Sequence, residues 1–146
     1  MIIQQMSVFV ENRPGTLAEV LAVLKEHEIN LRALAVADTA DFGILRIVVN
    51  EPEKVERILR GSGFTVKVTP VLAITIEDKP GDLFDKVQKL SSAGINIEYM
   101  YAFSANEKYA RVVLKVDNVA RAERIISGEN VSDELNENLS VPNFYW

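Results

Sequence analysis

The chain has no cysteine among its 146 residues. Disulfides, thiolate metal sites and thiol catalysis are excluded with it. A chain without disulfides suits a reducing compartment. There is one histidine, His27, late on a predicted helix between Glu26 and Glu28. It reads as a solvated side chain, and one imidazole without thiol partners does not make a zinc site. No Ser/His/Asp set and no phosphate loop is visible, and general acid–base chemistry has no evident base. The chain is therefore not expected to be an enzyme. It is assigned no catalytic residue, no metal ligand and no cofactor.

A basic excess is also missing. Residues 1–70 carry 8 basic and 9 acidic side chains, and residues 71–146 carry 8 and 12. Neither half could track phosphates, so no nucleic-acid partner is expected. Asp41-Phe42-Gly43 faintly resembles an RNA-recognition strand, but that motif needs a basic start and stacking aromatics. No apolar run approaches the roughly 18 residues of a membrane helix. Met1–Gln5 shows no signal-peptide pattern. The expectation is a soluble, cytoplasmic protein with no membrane partner.

What is present is a repeat. Residues 11–30, ENRPGTLAEVLAVLKEHEIN, align with residues 77–96, EDKPGDLFDKVQKLSSAGIN. The pairs Glu11/Glu77, Pro14/Pro80, Gly15/Gly81, Leu17/Leu83, Leu24/Leu90, Ile29/Ile95 and Asn30/Asn96 are identical. Arg13/Lys79 and Asn12/Asp78 are near matches, and Arg46 later meets Arg111. Two domains follow, residues 1–70 and 71–146.

Both units have one pattern of elements. Met6–Val10 alternates as a half-buried strand. Leu17, Val20, Leu21 and Leu24 form one helix face, with Thr16 and Glu19 at capping-box spacing. Leu31–Val36 and Ile44–Val49 are strands around a polar turn at Asp38–Asp41. Pro52 opens a second helix, Gly61 and Gly63 end it, and Phe64–Val68 is the fourth strand. The second unit repeats this over Val71–Ile76, Leu83–Leu90, Ile95–Phe103, Tyr109–Val116 and Ala120–Ile126. The fold class is α+β: two ferredoxin-like βαββαβ units, antiparallel sheets with helices on one face. The fourth strand of the second unit is not evident, because Val131–Leu139 is polar and shows no clear alternation. Thr69-Pro70-Val71 passes directly between units, a short connection that favours rigid, adjacent packing over independent motion.

The loop between first strand and first helix is the sharpest chemical feature. Gly15 permits close approach. It precedes a helix N-terminus, where free N–H groups favour a carboxylate. Asn12 could add an amide, and Asn30, at the start of strand two, could reach the loop of a neighbouring unit. The plain alternative is that Pro-Gly and Asn are turn formers and nothing more.

The runs E-N-R-P-G-T-L with E-I-N-L, and E-D-K-P-G-D-L with G-I-N-I, resemble the ACT domain family. The resemblance covers all but about the last fifteen residues. It implies a ferredoxin-like fold that binds an amino acid at the interface of paired domains, usually to regulate metabolism. Carried over, it implies a ligand site at Asn12, Pro14, Gly15, Thr16, Leu17, Asn30 and Leu31. In the second copy the positions are Asp78, Pro80, Gly81, Asp82, Leu83, Asn96 and Ile97. The expected partners are a small-molecule ligand, a second copy in a homodimer, and a metabolic enzyme. The alternative is a ligand-free protein–protein interaction module. Asp78 and Asp82 stand where the first copy has Asn12 and Thr16, so the second loop should repel a carboxylate and be altered or empty.

Three further features have plain readings. Arg46 and Arg111 are expected as surface residues paired with an acid. Tyr99 and Tyr101 share a face, with Met100 on the other. Phe144-Tyr145-Trp146 is expected to tuck against the sheet or a partner chain.

Overall fold

A computed structural model describes residues 1–38 and 41–128. The chain divides into two compact units, Gln4–Thr69 and Met1–Ile3 together with residues from Pro70 onward.

The Gln4–Thr69 unit holds most of β1 (Ile2–Glu11), α1 (Thr16–Glu26), β2 (Ala33–Asp38), β3 (Phe42–Val48), α2 (Pro52–Gly61) and the start of β4 (Thr65–Glu77). Its strand order is β2-β3-β1-β4. The β1–β3 and β2–β3 pairs are antiparallel. Alternation decides which side is buried with the helices. Met6, Val8, Val10, Leu45, Ile47 and Val66 form one cluster with Val20 and Leu24 of α1 and Val55 and Leu59 of α2. Both helices therefore cover the same face.

The second unit holds the rest of β4, α3 (Asp82–Ser92), β5 (Ile97–Ser104), β6 (Tyr109–Val116) and α4 (Val119–Ser127). Leu72, Ile74, Ile76, Val112, Leu114 and Val116 pack with Leu90 of α3 and Ala122 and Ile126 of α4. This is again an antiparallel sheet with helices on one face, as the sequence pattern predicts. Asn118 caps α4 by accepting from the Arg121 N–H at 3.0 Å.

The strand bounds differ from the sequence reading in one instructive way. β1 begins at Ile2, and Met1–Ile3 lies in the second unit, beside β4 on the side away from β6. Ala73 N–H donates to the Met1 carbonyl at 2.8 Å, and the Met1 amine donates to the Ala73 carbonyl at 3.1 Å. That reciprocal pair is antiparallel. The place beside the unit's first strand, where a fourth strand belongs, is thus filled by the first residues of the chain. Thr69-Pro70-Val71 is no loop but the middle of β4, which gives its first part to one unit and its second to the other. The stretch Val131–Leu139 and the Phe144-Tyr145-Trp146 end lie outside the described residues. Among the described residues, no helix is long and apolar enough to cross a membrane.

Candidate ligand-binding loops

The two loops have nearly the same backbone. Gly15 sits at φ 93°, ψ −19°, and Gly81 at φ 96°, ψ −20°. Both are left-handed helix N-caps, a conformation open to glycine and costly to residues with a Cβ. A Cβ on either would meet nothing within 4 Å. These glycines serve the turn and leave open space in front of it.

With Gly15 as the cap, Thr16 is the first helical residue and no capping box forms. The Thr16 hydroxyl turns back, donating to the Glu11 carbonyl at 2.6 Å, with the Arg13 carbonyl at 3.1 Å. Thr16 is buried. Its hydroxyl closes the loop from beneath. In the second copy the Asp82 carboxylate does this work, accepting from the Glu77 N–H at 2.7 Å. The Thr16/Asp82 difference is therefore two ways of tying a helix start to the end of its strand.

Neither cap carries a side-chain hydrogen bond. The first turn of α1 bonds through Thr16 N–H to Arg13 and Glu19 N–H to Gly15. Between them, the N–H groups of Leu17 and Ala18 make no hydrogen bond among the described residues. Asp82 and Asp85 N–H bond likewise in α3, leaving those of Leu83 and Phe84. These donors, on the positive end of a helix dipole, suit an anion.

An ion pair brackets each loop. Arg13 Nε lies 2.8 Å from Glu11 Oε2, with Glu19 at 3.9 Å. Lys79 pairs with Glu77 in the same way. The hydrogen bond and charge of Glu11 raise the Arg13 pKa, and those of Glu77 raise that of Lys79. Sequence reasoning passed over these pairs, although the repeat retains both members. The second loop is the more acidic. Residues 77–85 hold Glu77, Asp78, Asp82 and Asp85 against Lys79; residues 11–19 hold Glu11 and Glu19 against Arg13.

The remaining candidates divide. Asn12 is exposed, its N–H donating to the Asp41 carbonyl at 3.2 Å, and Asp78 N–H donates to the Lys108 carbonyl at 2.7 Å. Pro14, Pro80, Asn30 and Asn96 are exposed. Leu17 is 38% exposed. Leu31, Leu83 and Ile97 pack against the two cores. Asn96 N–H donates to the Asp117 carboxylate at 3.1 Å. Asn30 lines a hollow of about 150 Å³ with His27, Val49 and Lys54. That hollow is remote from Gly15. The 11 residues of α1 separate Gly15 from the Asn30 end, a length of about 16 Å. Within one unit the loop and the Asn do not meet.

The structure also shows an apolar flank. β2 is an edge strand. Leu34 and Val36 on it are 53% and 54% exposed, and Leu17 and Leu21 on α1 are each 38% exposed. Phe84 and Met100 are exposed in the second unit. The apolar run ALAVA on β2 carries this signal, since a strand buried on one face alone would alternate with polar residues.

Arg111 is not the surface residue expected, and Arg46 is half-buried. Each lies opposite a far-face residue of β1 or β4, Ser7 and Thr75 respectively. Arg111 is buried, and burial lowers its pKa.

The profile of the ACT domain pair matches residues 1–141. The chain belongs to the ACT domain family. Among solved structures, the protein BT0572 from Bacteroides thetaiotaomicron is 40% identical, with 88% of each chain covered and a TM-score of 0.83. The regulatory subunit of aspartate kinase from Thermus thermophilus, in a ligand-free form, shares the fold at 16% identity. It gives a TM-score of 0.65 over 88% of this chain and 96% of that one. The corresponding subunit from Thermus flavus aligns at 17% identity and a TM-score of 0.62, over 88% and 94%. A search of curated proteins finds no match.

Proposed function

We propose that this ACT domain pair binds a free amino acid and passes the binding on to a metabolic enzyme that it regulates. The N–H groups of Leu17 and Ala18, open beside Gly15 at the start of α1, carry the reading. They are donors for the ligand carboxylate. The exposed Asn12 amide lies on the same loop, where it can bond the ligand. The more acidic second loop disfavours a second carboxylate, and Asp78 there suits an ammonium.

The site is completed by a second copy. Gly15 and Asn30 lie at opposite ends of α1, so two units docked side by side and antiparallel bring the Asn of one to the loop of the other. Edge strand β2 offers an unpaired ladder for that docking, and Leu17, Leu21, Leu34 and Val36 offer apolar surface. The ligand then sits between copies and stabilises their pairing.

Thermal unfolding against each of the twenty amino acids at millimolar concentration tests this. A ligand at 100 times its Kd stabilises by about 2.7 kcal/mol, a shift of roughly 5–10 °C at about 2–4 °C per kcal/mol. The shift should appear for one chemically related group of amino acids and vanish in Asn12→Ala. No shift with any of them would refute the ligand and leave the pairing surface as a protein interaction module.

A further inference from the structure

Each candidate loop sits at the end of a strand that begins in the other unit. β1 starts beside β4 in the second unit, where Met1 and Ala73 exchange two backbone hydrogen bonds. It ends at Glu11 in the first unit. The Glu11 carbonyl takes the Thr16 hydroxyl, and its carboxylate holds Arg13. β4 makes the opposite passage. It starts at Thr65 in the first unit, puts Val66 into that core, and enters the second unit at Pro70. It ends at Glu77, whose N–H donates to Asp82 and whose carboxylate holds Lys79.

Neither strand has a hinge where it passes from unit to unit. β1 is unbroken from Ile2 to Glu11 and β4 from Thr65 to Glu77, with no glycine in either. Met6, Val8 and Val10 stand in the first core, on the strand whose start is bonded in the second unit. Leu72, Ile74 and Ile76 follow Val66 along β4 and stand in the other core. Between them, Pro70 fixes its own φ and holds Thr69 in extended backbone. A flexible connection would let one unit open while the other stayed closed. An extended strand anchored at both ends transmits the movement instead. Each unit alone is small enough to be marginal in stability, so strands common to both weigh heavily.

We infer that β1 and β4 couple the two units, so that neither opens alone and a change at one loop is felt in the other unit. The coupling needs no ligand and stands apart from the ligand reading. With a ligand at the first loop, β1 is the route by which binding there reaches the second unit.

Hydrogen exchange of the whole chain, read residue by residue by NMR, tests this, because exchange reports the opening of each region. Gly81→Ala strains the second loop without a clash, its φ being +96°. The slowest amides of β6 and α4 should then exchange roughly 5- to 30-fold faster. The slowest amides of β1 and β3, in the first unit, should accelerate by the same factor. Gly15→Ala, in the first loop, should accelerate both sets in turn. Acceleration confined to the unit that carries the substitution would overturn the inference. The Ala73 amide, donor to the Met1 carbonyl, reports the anchor of β1. It should exchange as slowly as the core amides of β6. Exchange there as fast as at an open strand edge would also overturn the inference, since β1 would then have no hold on the second unit.

Discussion

The glycine at the cap of each candidate loop invites a test with an internal control of opposite sign. Gly15 and Gly81 stand at φ 93° and φ 96°. An added Cβ at either has no atom within 4 Å. Any loss on Gly15→Ala or Gly81→Ala must therefore come from backbone conformation and not from a clash. A left-handed residue with a Cβ costs about 1–2 kcal/mol. For a chain of this size each substitution should lower Tm by roughly 2–8 °C, at about 2–4 °C per kcal/mol. Gly61 also has open space for a Cβ, but it closes α2 with no positive φ. There alanine should stabilise by about 0.5–1 kcal/mol, through helix propensity and the entropy of the unfolded chain. The assay is thermal unfolding followed by circular dichroism, with urea midpoints as a check. Equal shifts of one sign in all three variants would refute the argument, because it rests on φ alone.

Other consequences are as direct. Glu28 has φ 54° where the second copy has Gly94 at φ 76°, so Glu28→Gly should raise stability by about 0.5–1 kcal/mol, the strain relieved less the entropy of glycine. Asp82→Ala removes the acceptor for Glu77 N–H and should cost about 1 kcal/mol, while Asp82→Thr, which copies the first loop, should recover most of it in the same urea titration. Leu34→Lys with Val36→Lys, both at positions more than half exposed, should leave folding within about 0.5 kcal/mol per site and abolish the proposed pairing of two copies in sedimentation equilibrium; a variant that pairs as the parent does would refute this surface as the interface.

How much could be read from residues alone differs from feature to feature. The element order was legible because its signals are local. Val20 and Leu24 fall on one helix face, Met6, Val8 and Val10 alternate, and Pro52 starts a helix. The loop glycines were legible through the repeat. The role of Thr16 was not. Spacing to Glu19 suggested a capping box, but the left-handed backbone at Gly15 moved the cap back one residue and turned the hydroxyl toward Glu11. The apolar flank on β2 was hidden because exposure depends on which strand stands at the edge, and hydrophobic alternation does not order strands.

By itself the sequence determined the duplication, the βαββα core of each unit, the helix-covered faces and the Pro-Gly loops, since each depends on residues a few positions apart. Tertiary structure alone decided three things. It placed Met1–Ile3 against Ala73, more than seventy residues away in sequence, because an exposed strand edge accepts any extended segment that satisfies its hydrogen bonds. It made Thr65–Glu77 a single strand serving both units. It also set Gly15 and Asn30 at opposite ends of α1, a separation fixed by the rise of the helix. Two motifs that look like one site in the sequence are thereby held apart in the folded unit.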